Sequence, residues 1–236
     1  MINNKKRRIQ YGMSAFFLRK IFIKISGILI ASFFVFSCVF YGYFLSRSKL
    51  VDYQTTYYLL VCGETNIEVG AEFVKLEGGA AYLWEDKYVV ASIYKKEEDA
   101  ESVRLALKQR GKEYTIQTVC VENLYFKGEK KKKQDMYLSA LNSFRGCLDV
   151  IMGCASNLDA GQPQERIKRI LTSTHSQLKY LSSQYTEEYL SFSRLCENIA
   201  RDLQGVEGEV VYSSDLRYIS CAMADGYLQL CKQFAL

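Results

Sequence analysis

This sequence is short of the residues that punctuate a chain and of those that do chemistry. One proline in 236 residues leaves no room for a long proline-rich linker. The one histidine, His175, stands near Ser173 and Ser176 without the partners that nucleophilic or metal chemistry requires. No HExxH, P-loop, GxSxG or GxGxxG is present. Carboxylates are plentiful but scattered, so the chain is not expected to be an enzyme, and neither a cofactor nor a metal is expected. Eight cysteines are spread over positions 38 to 231 with no CxxC pair, which argues against zinc. Cys147 and Cys154 share a helical face but lie about 10 Å apart along it, too far for a disulfide between them. Two readings of the thiols stay open: disulfides in an external domain, or small buried hydrophobes.

Acidic residues are missing from the first 24 positions, where seven lysines and arginines sit. The rest of the chain carries 24 basic and 26 acidic residues, so it is close to neutral, and no nucleic-acid partner is expected. Charge of either sign is missing from 25–45, "ISGILIASFFVFSCVFYGYFL". About 20 apolar residues suffice to span a bilayer, and the run exceeds a signal-peptide core. The expectation is a basic cytoplasmic tail (1–24), a transmembrane helix (25–45) and everything beyond it outside the cell membrane, by the positive-inside rule.

After that span the sequence repeats itself. "YYLLVCGETNIEVGAEFVKLEGG" (57–79) and "KYVVASIYKKEEDAESVRLALKQRG" (87–111) each read as a strand, then a helix ended by glycine. Thr65 or Asn66 can cap the first helix, and Ala100, Val103 and Leu107 mark one face of the second. "AAYLWE" and "EYTIQTVCV" supply a strand after each helix. Two β-α-β units of this size predict a ferredoxin-like sheet of four strands with both helices on one face. Alternation sends Val89 and Ala91 toward those helices. It sends Tyr88, Val90 and Ser92 outward, with Tyr82 and Trp84 beside them. This row, with Gln117 on the last strand, offers aromatic faces and a polar tip suited to sugar rings. The alternative is that the aromatics pack against the helical region that follows.

The repeated pattern of strand, small residue, acidic helix start, alanine, glycine and strand resembles the sporulation-related repeat (SPOR) domain over about 55–122. "YVVASIYKKEEDAESVRLAL" carries the likeness best, with Ser92, Tyr94 and Ala100 at pattern positions. Val61 and Thr65 stand where the family often has a glutamine and an aromatic. The resemblance implies binding of peptidoglycan glycan strands on the open sheet face, with Tyr82, Trp84, Tyr88, Val90 and Gln117 as the candidate contacts. It also implies recruitment of a single-pass envelope protein to division or sporulation septa.

A lysine-rich stretch within 123–135 reads as a charged linker. Beyond it, in 136–236, the period shifts to about 3.5, which predicts a three-helix, coiled-coil-like region. Its long central helix (163–204) carries the seam Ile167, Leu171, Thr174, Leu178, Leu181, Tyr185, Glu188, Phe192, Leu195, Ile199 and Leu203. The seam can close an internal bundle, or pair with a second copy or another envelope protein. The second functional expectation follows: a scaffold that acts through its helical region without binding glycan. The expected fold is therefore α+β: a transmembrane helix, a βαββαβ domain at 53–122 and a helical bundle.

Overall fold

The computed structural model describes residues 36–38, 40, 49–126, 129–187, 189–206, 208 and 210–234. The chain divides into two units, Met1–Lys49 and Leu50–Leu236. In the first unit the described residues 36–38 and 40 are helical, and the Phe36 and Phe40 rings stack at 6.2 Å.

The transmembrane expectation is corrected here. Among the described residues no helix is long and apolar enough to cross a membrane. The basic tail 1–24 and most of 25–45 lie outside the described residues. The single-pass placement, with its cytoplasmic N-terminus and external domains, is set aside with the span.

The second unit mixes helix and strand. Its sheet has strands β1 (Lys49–Cys62), β2 (Tyr82–Trp84), β3 (Tyr88–Tyr94) and β4 (Tyr114–Phe126), in the order β2-β3-β1-β4. Between them run α1 (Ile67–Leu76) and α2 (Glu97–Gln109). Asn66 caps α1: its side-chain oxygen accepts from the Glu68 and Val69 amides at 3.0 and 3.2 Å. Gly78 and Gly111 leave their helices at φ +74° and +73°, a conformation that costs glycine little. Next to Gly78, a Cβ on Gly79 would meet Val74 Cγ1 at 2.6 Å, so only glycine lets the chain turn this close to α1.

One residue changes the register. β1 and β3 pair Leu60 with Ser92 but Val61 with Val90, leaving Ala91 as the extra residue of a β-bulge. Ser92 therefore lies opposite Leu60, on the face of α1 and α2, and not outward beside Val90 as simple alternation predicts.

Four helices follow, not three: α3 (Lys131–Asp159), α4 (Gln164–Gln184), α5 (Leu190–Val206) and α6 (Ser213–Lys232). The predicted 163–204 helix breaks after Gln184, close to the polar interruption of its seam at Glu188. The heptads on either side then face each other, because α4 packs on α5. Serine holds the corner: Ser193 Oγ donates to the Ser182 carbonyl at 2.8 Å, and Thr186 Oγ1 donates to it at 3.0 Å. α3 packs on α4 and α6, and α5 on α6, closing a four-helix bundle. Much of the expected linker 123–135 is regular structure, since β4 runs to Phe126 and α3 starts at Lys131. The segments 53–122 and 136–236 form one compact unit.

Candidate binding surface of the sheet

The sheet has two unequal faces. Leu60, Cys62, Val74, Val89, Ala91 and Tyr114 form a small core under α1 and α2. The other face, with Tyr57, Leu59, Val61, Val90 and Ile93, joins the large core that runs through the bundle. α6 lies against β2, β3 and β4.

The residues expected to meet a glycan are on this second face, beneath the bundle. Trp84 is 2% exposed and Val90 0%. Tyr82 and Tyr88 are half-buried and packed against the large core. Tyr82 and Trp84 meet edge to face at 6.2 Å, and Tyr82 meets Tyr218 of α6 at 5.4 Å. The Tyr82 hydroxyl donates to Asp225 Oδ2 at 2.9 Å. Burial, then that bond to Asp225, holds the Tyr82 phenol well above its ordinary pKa. Gln117 is half-buried on β4, at the far edge of the sheet from β2. So the structure brings Tyr82, Trp84, Tyr88 and Val90 together, but as a helix-docking surface. Trp84 has no free face to stack on a sugar.

No family model, no curated protein and no solved structure matches the chain.

Polar staples surround the apolar seat. Arg217 of α6 donates to the Gly78 carbonyl at 2.6 Å and pairs with Asp159 of α3. Lys95, just past β3, meets Asp149 Oδ2 of α3 at 2.7 Å. Deeper in, Tyr227 of α6 bonds to Tyr53 and, at 3.4 Å, to Thr55 of β1. Arg145 of α3 donates to Thr55 Oγ1 at 3.2 Å. Burial first, then the Asp149 carboxylate, pushes the Tyr57 phenol well up, and its hydroxyl has no hydrogen-bond partner.

Sequence reasoning passed over Arg217, Asp149, Lys95, Asp225 and Tyr227. A signal for the buried second face was nevertheless present. "YYLLVC" and "YVVASIY" are almost continuously apolar, as strands covered on both faces are. Val61, in place of a polar residue, is 5% exposed under the bundle.

Between the end of β3, the start of α2 and helices α3 and α6 lies a cleft of about 620 Å³. Lys95, Asp99, Asp149, Asp159 and Arg217 give it mixed charge. The described cysteines are free thiols, and six of them are buried. Among the described residues no group of His, Cys, Asp or Glu could hold a metal ion.

Proposed function

We propose that this chain is a non-catalytic interaction protein that acts through its helical region, without binding glycan strands on its sheet. One observation carries the reading: Trp84 and Val90, at the centre of the expected glycan face, are covered by the chain's own bundle. A sugar ring needs an exposed aromatic face, and the face here is spent on Tyr218 and the bundle core. The bundle's own outer surface carries exposed aromatics, Tyr180 at 61% and Tyr212 at 60%, which can serve as contact points for a second protein.

The test has two parts. The full chain is sedimented with purified peptidoglycan, and it is expected to stay in the supernatant like a non-binding control. A photoreactive residue is then placed at Tyr180 or Tyr212, and a discrete crosslinked product is expected in cells. Saturable pelleting with peptidoglycan, or no product from either position, sinks the reading.

A further inference from the structure

We infer that β4 is a dimerisation edge: two copies of this chain pair their β4 strands antiparallel about a two-fold axis at Gln117, making one sheet continuous across both copies. The inference stands apart from the reading of the bundle surface. β4 is an outer strand of the sheet. The Gly63 amide donates to the Glu113 carbonyl at 2.9 Å, so Glu113 and alternate residues after it turn their backbone groups to β1. Tyr114, Ile116, Thr118 and Cys120 turn theirs away, and among the described residues no strand lies on that side. Such a row of backbone N–H and C=O groups is a template for another strand.

The rest of the sheet's edge is guarded, and this stretch is not. β2, the opposite edge, is 3 residues long, and a very short edge strand recruits poorly. Past Val121 the β4 edge is interrupted. Asn123 has a φ of 59°, and Val121 and Leu124 both reach the large core, as a bulge between them requires. The Tyr125 amide is then taken by the Phe234 carbonyl at 2.6 Å. Before the bulge, "YTIQTVCV" (114–121) has no charge, no proline and no glycine, so it lacks the devices that keep edge strands apart. Thr115, Thr118 and Cys120 are exposed along it.

The pattern around Gln117 selects a second copy as the occupant. Lys112 and Glu122 stand equally far from Gln117 on either side. Antiparallel self-pairing about Gln117 therefore sets Lys112 of each copy opposite Glu122 of the other, and opposite charges facing across strands stabilise the pair. Lys112 already meets Glu77 at 3.0 Å, and an ammonium keeps further donors for a second carboxylate. At the axis the two Gln117 amides meet, each able to donate and to accept. Thr115 falls opposite Val119 and Ile116 opposite Thr118, which are β-branched cross-strand pairs. Moving the axis to Thr118 would set Lys112 against Leu124 and Glu122 against Tyr114, losing both ion pairs.

Sedimentation velocity of the full chain over a concentration series tests the pairing, and a reversible monomer–dimer equilibrium is expected. Gln117→Lys and Gln117→Glu each set like charges opposite themselves at the axis, and each should weaken the dimer about tenfold or more. An equimolar mixture of the two should restore it, which a folding defect in either variant would prevent. Disulfide trapping gives the register. Gln117 occupies a non-hydrogen-bonded pair, with Cα atoms about 4.5 Å apart, within disulfide reach. Gln117→Cys, in a chain whose exposed Cys38 and Cys120 are replaced by serine, should oxidise to a covalent dimer. Cys120 retained alone should not, because it lies opposite Tyr114 and about 20 Å from its own copy. A chain that stays monomeric at every concentration overturns the inference. So does a dimer that both charge variants keep, a mixture that fails to restore it, or Cys120 crosslinking as readily as Gln117→Cys.

Discussion

Trp84 shows how far a residue's role depends on what covers it. Its neighbours in sequence suit a ligand platform, yet at 2% exposure it is part of the core. Replacement of a buried aromatic by alanine costs about 3–5 kcal/mol. Trp84→Ala should therefore lower the chemical-denaturation midpoint strongly. A stacking residue on an open face would leave stability almost untouched, so an unchanged midpoint would contradict this placement. The buried acids give a second expectation at this scale. Burial pushes the Tyr114 phenol up to about 12 and the Cys147 thiol up to about 11, and it raises Tyr57 and Tyr227 as well. Groups raised in the folded state ionise first in the unfolded chain. Their stabilising contribution is complete below the unfolded values, about 8.5 for a thiol and 10 for a phenol. It is lost as pH climbs toward the folded values. Melting temperature should thus hold to about pH 8 and fall steadily between about pH 9 and 12. A flat profile through that window would show that these groups are not buried in solution.

Among the elements, α3 has the most to do. It runs from Lys131 to Asp159 and packs on α4 and α6. It also reaches the sheet through Arg145 and Asp149. Its buried stripe, Tyr137, Leu141, Phe144, Leu148 and Ile151, follows helical periods of three and four, and Leu141, Leu148 and Ile151 of it were readable from sequence. Its early start within the lysine run was not, because lysines are also good helix formers and composition alone does not separate a solvated helix turn from a linker. Gly146 lies inside this helix, and a Cβ there would meet nothing within 4 Å. Gly146→Ala should stabilise the protein by about 0.5–1 kcal/mol through the entropy of the unfolded chain. Loss of stability on equilibrium unfolding would mean that a neighbour approaches this position more closely. The α4–α5 hairpin teaches the opposite lesson. Its seam keeps one heptad register across 167–203, interrupted only at Thr174 and Glu188, and such a seam fits one long helix as well as two short ones that face each other. The Ser182, Thr186 and Ser193 hydrogen bonds, which connect across the corner, decide in favour of two.

At the scale of the molecule, the sheet module and the bundle share one core. Tyr57, Leu59, Val61, Trp84, Val90 and Ile93 from the strands continue into Phe144, Leu148, Met223 and Tyr227 from the helices. A shared core unfolds as one cooperative unit. Calorimetry of the full chain should show residues 50–236 melting in a single transition. The segment 53–126 expressed alone should expose that apolar face and bind a hydrophobic dye. Two separate transitions, or a stable, dye-silent 53–126, would mean that the modules are independent.

By itself the sequence determined the local order. Strand and helix followed one another in 57–121 because periods of two and of three to four are written in neighbouring residues, and Asn66, Gly78 and Gly111 mark the helix ends by their own backbone chemistry. It also determined which residues are apolar. Only the tertiary structure decided where those apolar residues are used. The bulge at Ala91 turned Ser92 to the other face, α6 closed over Trp84 and Val90, and the long seam folded onto itself. An apolar side chain declares that it leaves water, since burial is favourable and without direction. Which partner it leaves water for is fixed only when distant segments meet. The same is true of the cleft, where Lys95, Asp149 and Arg217 come from three separate segments of the chain and are brought together only in the fold.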